Sequence, residues 1–85
     1  MSTSKEQMVQ VATASKIGRV WERPNVDEVR VYDGSDYLVL VPTTSILNGV
    51  ESDAIAVSGR LSRRNGAAYA ALRAAGESLG IYTRA

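Results

Sequence analysis

At 85 residues the chain has room for one domain and one modest core, and no apolar run approaches the ~20 residues that a bilayer crossing needs. Ten Lys and Arg against nine Asp and Glu give a net charge of +1, below what a dedicated nucleic-acid binder usually carries. Cysteine and histidine are both absent, which removes disulfides, thiolate and imidazole metal ligands, and the commonest general base and thiol nucleophile.

Residues 4–14 fit two readings. Ser4 can cap a short helix with Met8, Val11 and Ala12 on one face, while Val9, Val11 and Thr13 also alternate as in a strand. Ile17 to Glu22 alternates, with Ile17, Arg19 and Trp21 opposite Gly18, Val20 and Glu22. Arg23-Pro24-Asn25 breaks this run, because proline has no N–H for a ladder and Asn tolerates turn geometry.

Val26 to Asp33 resumes as a strand, with Val29 and Val31 on one face and Val26, Glu28, Arg30 and Tyr32 on the other. Asp33-Gly34-Ser35-Asp36 is a turn by composition, and Tyr37 to Val41 is apolar on both faces, as a covered central strand would be. Pro42 is expected to end that strand. The result is a three-strand meander from about Ile17 to Val41.

Thr43 to Asp53 is expected to be irregular or to hold one helical turn, with Asn48-Gly49 as a turn and Ile46, Leu47 and Val50 dipping into the core. Ala54 to Leu61 alternates again and fits a fourth strand. An alanine-rich helix follows from Arg63 to about Leu79, capped by Ser62, with Ala68, Leu72, Ala75 and Leu79 as its apolar stripe. Gly80 is placed to terminate it, and Ile81 and Tyr82 to fold back onto the core.

The expected architecture is α+β, a small antiparallel sheet of three meander strands plus a fourth, packed by the C-terminal helix. Residues 1–15 form a helix or extended segment, 16–61 the sheet and 62–80 the helix, all in one domain. Leu38, Leu40, Val57 and Leu72 are the expected core. A domain this small hides only about 60% of the surface its unfolded chain exposes, so a homodimer would help to bury more.

The chemistry-bearing residues are few. The acids Asp33 with Asp36, Asp27 with Glu28, and Glu51 with Asp53 fall in turns or at strand edges, where Asp serves local backbone hydrogen bonding. Asp33-Gly34-Ser35-Asp36 lacks the continuation of a calcium loop. Neither an enzyme nor a bound cofactor or metal is expected. The start of the chain lacks the basic-then-apolar pattern of a secretion signal, so a cytoplasmic location is the default expectation.

Charge is unevenly spread. Arg60, Arg63, Arg64, Arg73 and Arg84 share the C-terminal part with Glu77 as its sole acid, whereas acids dominate between Glu22 and Asp53. Arginines at a helix start oppose the helix dipole, by roughly 0.3–1 kcal/mol each when exposed, and so point to an anion or acidic partner there. Arg60, Ser62, Arg63, Arg64 and Arg73 are therefore the candidate anion-binding residues. Trp21 reads as a core residue of a small sheet; exposed, an aromatic beside arginines would instead stack on an unpaired base or a partner side chain.

Gly59, Ser62, Arg63, Arg64 and the alanines after them stand as a strand end, a serine with a basic pair, and an alanine-rich helix. Locally this resembles the last part of the double-stranded-RNA-binding domain, whose α-β-β-β-α order also fits. The likeness covers about the last third of the chain. It departs where Asn65-Gly66 follows the basic pair and where an additional strand is expected. Together these features lead to a non-enzymatic protein that binds nucleic-acid backbone through the arginine cluster. The alternative is a small protein-binding module or inhibitor, of the kind common on phages and other mobile elements, using the same basic face or a sheet edge against an acidic surface.

Overall fold

The computed structural model describes residues 4–60 and 65–84. The chain opens with α1 (Lys5–Ser15). The Ser4 hydroxyl accepts from the Gln7 backbone N–H at 3.1 Å, and the Ser4 N–H donates to Gln7 Oε1 at 2.9 Å. This reciprocal cap satisfies two N–H groups that would otherwise lack partners, and it decides for helix over strand. Met8, Val11 and Ala12 are the buried face. Lys16 closes the helix in the left-handed region at φ 56°.

Four antiparallel strands follow: β1 (Arg19–Glu22), β2 (Val29–Asp33), β3 (Asp36–Leu47) and β4 (Val50–Arg60). The expected meander is present, with two boundary corrections. β2 begins at Val29 rather than Val26, because the backbone turns through Asn25 at φ 60° and the Glu28 N–H donates to the Val26 carbonyl at 2.9 Å. β3 does not stop at Pro42. Pairing with β2 ends at Leu40, so at Pro42 that edge of β3 has no neighbouring strand to which an N–H would donate.

The stretch expected to be irregular is instead the outer half of a long β3–β4 hairpin. Asn48 and Gly49 sit at φ 53° and 79°, the pair of positive values that a tight two-residue hairpin turn requires. Ile46 and Val50 flank that turn, 73% and 63% exposed, so neither reaches the core. The side chain of Leu47 lies outside the described set, as does Leu61 at the expected end of the fourth strand.

α2 (Asn65–Ser78) is the expected alanine-rich helix, and Ala68, Leu72 and Ala75 are buried. Ser62, Arg63 and Arg64, expected as its cap and first residues, lie outside the described residues. Gly80 terminates the helix as expected, at φ 73°. The Ile81 N–H donates to the Gly76 carbonyl and the Gly80 N–H to the Glu77 carbonyl, at 2.8 and 3.1 Å, the paired bonds of a left-handed helix stop. Leu79, expected on the apolar stripe, is exposed because the chain has already left the helix there.

Past the stop, Ile81 is buried as expected, but Tyr82 is exposed and begins a fifth strand, β5 (Tyr82–Arg84). It pairs in parallel with β4, Ile55 opposite Thr83, which makes the sheet mixed rather than antiparallel. A parallel neighbour needs a crossover, and α2 is that crossover. The sheet order is β1-β2-β3-β4-β5.

One core joins both helices to one sheet face. Met8, Val11 and Leu72 pack with Val29, Val31, Leu38, Leu40, Ile55 and Val57. All four residues expected as core are buried. Both helices lie on that face, in contact with each other. The opposite face carries no helix among the described residues.

Candidate nucleic-acid interface

Alternation along a strand sends successive side chains to opposite faces, and cross-strand partners share a face. Val31 opposite Leu38 and Leu40 opposite Val57 define the covered face. The residues between them line up on the uncovered one. One row there is Arg19, Tyr32 and Tyr37; the next is Trp21, Arg30, Val39 and Ser58.

Trp21 is therefore not core. It stands 40% exposed, because β1 turns Val20 toward the helices and Trp21 away from them. Arg30 lies between two rings, its guanidinium carbon 5.3 Å from the Trp21 ring centre and 5.0 Å from that of Tyr37. Arg19 covers the Tyr32 ring at 5.5 Å. The Tyr32 and Tyr37 rings approach at 5.2 Å with a tilt of 40°. Such cation–ring contacts are worth about 0.5–1 kcal/mol where water has access, and they fix the rings in place.

The Glu28 carboxylate anchors this arrangement. Arg30 Nε donates to Glu28 Oε2 at 2.8 Å and Arg23 Nη1 to Glu28 Oε1 at 3.2 Å. The hydrogen bond from Arg30, with the charges of Arg30 and Arg23 behind it, outweighs partial desolvation and holds the Glu28 carboxyl below its ordinary pKa of 4.5. Arg30 is correspondingly raised, by its hydrogen bond to the Tyr32 hydroxyl and by Glu28, so it stays charged at any working pH.

Two shallow depressions flank the tyrosine pair on this face. One is lined by Gly18, Arg19, Tyr32, Asp33 and Gly34, the other by Asp36, Tyr37, Val39, Ser58 and Gly59. Gly18 has no alternative here: a Cβ would overlap the Tyr32 carbonyl oxygen.

Of the residues singled out from the sequence, Ser62, Arg63 and Arg64 lie outside the described residues. Arg60 is the last residue of β4 and stands opposite Tyr37. Arg73 is exposed on α2, eight residues past its first, about 12 Å along the helix. It lines a crevice of ≈ 10 Å³ with Val57, Tyr69, Thr83 and Arg84, room for about one water. Arg73 thus sits among α2, β4 and β5, apart from the rings on β1–β3. Among the described residues no three acidic side chains gather as metal ligands.

The sequence carries a signal for this face in Arg19-Val20-Trp21 and Arg30-Val31-Tyr32, two arginine–valine–aromatic triplets of period two, but the candidate site residues do not include them and Trp21 reads first as core. Comparisons with protein-family models, curated proteins and solved structures find no match to this chain, so the reading of the site rests on its own geometry.

Proposed function

We propose that this is a non-enzymatic binding domain for nucleic acid, with Arg60, Ser62, Arg63 and Arg64 meeting backbone phosphates where β4 leads into α2 and Arg73 offering a further cation on that helix. The observation that carries this reading is the register of Arg60. Its backbone pairs with that of Tyr37, so β4 ends beside the row that holds Arg19, Tyr32 and Tyr37, and the arginine-rich stretch follows directly in the chain. Phosphate contacts carry no base information, so binding should depend weakly on sequence.

The test is a titration of generic DNA and RNA at rising salt. Changing Arg63 and Arg64 together to Ala is expected to weaken binding about equally across sequences and to flatten the salt slope by roughly one unit per lost contact. The melting temperature should not fall, since removing two charges that oppose the helix dipole is neutral or slightly favourable. Absence of any binding at low salt would overturn the reading. A second reading, an acidic protein partner, is favoured by the same face's Trp, Tyr and Arg content, the residue types that dominate protein interface energetics. Its binding would be far less sensitive to salt.

A further inference from the structure

We infer that the uncovered sheet face takes a single strand rather than a duplex, its bases stacking on Trp21 and on the Tyr32–Tyr37 pair and its phosphates passing Arg19 and Arg30. This rests on the nucleic-acid reading above and specifies which form of nucleic acid the face selects.

Four observations converge on it. Trp21 and Tyr37 are 40% and 37% exposed on a face with no helix, so their rings are reachable. They sit on β1 and β3, two strand spacings or roughly 10 Å apart with Arg30 of β2 between them, a span that neighbouring bases of one extended strand can bridge. The Tyr32 and Tyr37 rings are tilted by 40° rather than stacked on each other, so they do not use up each other's faces. Shallow depressions lie on both sides of that pair, open enough to admit planar groups.

Charge complementarity supplies the polarity. Arg19 lies over the Tyr32 ring and Arg30 over the Trp21 and Tyr37 rings, at 5.5 and 5.0–5.3 Å, so a guanidinium takes one face of each ring and a base would stack on the other with positive charge close by. Arg30 shares its charge with Glu28, which leaves few full phosphate contacts and makes stacking the larger contribution. A duplex keeps its base faces stacked internally and offers this surface only a rigid backbone. It would use the arginines and leave the rings idle.

Trp21 is the only tryptophan of the chain, so its fluorescence reports on this face alone. The experiment titrates the full chain at low salt with oligo(dT), oligo(U) and a duplex of equal length, following anisotropy of the labelled strand and Trp21 emission. Single strands are expected to bind at least about tenfold tighter than the duplex and to quench Trp21, the oligo(dT) and oligo(U) arms showing whether the sugar matters. Trp21→Ala and, separately, Tyr37→Leu should each weaken single-strand binding about 5- to 100-fold. The quench needs no variant, so misfolding of one substitution does not blunt the test. A duplex bound as tightly as a single strand, with Trp21 emission unchanged, overturns this inference and leaves the nucleic-acid reading standing. Failure of every nucleic acid to bind overturns both.

Discussion

Glu28 shows how much one side chain can organise at the residue scale. It lies on the uncovered face, accepts from both Arg23 and Arg30, and so sets where Arg30 meets the Trp21 and Tyr37 rings. Its folded-state pKa is depressed below 4.5, so the stabilisation is complete above the unfolded value and is lost as pH falls through the lower folded value. Glu28→Gln should therefore lower the melting temperature slightly at neutral pH, and the gap to the parent should close once pH drops below 4.5. Melting curves of both proteins across that range check it. The effect will be small, because surface ion pairs contribute about 0–1 kcal/mol. Both arginines and the acid were legible in the sequence. Their use as a clamp on two rings was not, since it depends on β1, β2 and β3 lying in register.

At the scale of elements, the helix stop after α2 carries the largest consequence. Gly80 at φ 73° reverses the chain, and Ile81 follows beneath the helix into β5. Gly76 makes the close approach feasible: a Cβ there would stand 2.6 Å from the Ile81 carbonyl oxygen and 2.9 Å from the Thr83 methyl. Gly76→Ala would ordinarily gain about 1 kcal/mol of helix propensity. Here backbone must shift to admit it, so the substitution should lower stability and loosen β5 first. A fall in melting temperature, with earlier amide exchange at Thr83 than at Ile55, would be the sign; a rise would show that α2 and β5 separate freely.

Three residues of β5 are too few to show a period, and their partner strand lies more than twenty positions back across a helix. The β3–β4 hairpin was misread because Ile46 and Val50 are large and apolar, which usually means burial. Beyond Leu40 on one side and Ala54 on the other the two strands have only each other, so Ile46 and Val50 stay in water.

Considered whole, the molecule is a single core between two helices and one face of a mixed five-stranded sheet. Such a small domain has little stability in reserve, commonly 5–15 kcal/mol or less. Leu40 is fully buried at its centre, paired with both Val29 and Val57. Leu40→Ala should cost about 2–5 kcal/mol, measurable by denaturant titration and enough to unfold a large fraction of the protein. An unchanged midpoint would mean that the core does not depend on this contact.

What the sequence determined by itself is whatever depends on neighbours in the chain. Ser4 with Gln7 starts α1, Gly80 ends α2, period-two alternation marks β1 and β2, and the buried stripes Met8–Val11–Ala12 and Ala68–Leu72–Ala75 follow from helical spacing. The tertiary structure alone decided which sheet face would be covered. Alternation separates two sets of side chains without saying which set meets the helices, and a valine–arginine–aromatic strand satisfies either outcome locally. Both helices settle on the valine and leucine side because that burial removes the most apolar surface from water without stranding a charge. Trp21, Arg30, Tyr32 and Tyr37 are left together in solvent by that choice, and only strand register brings them within reach of one another.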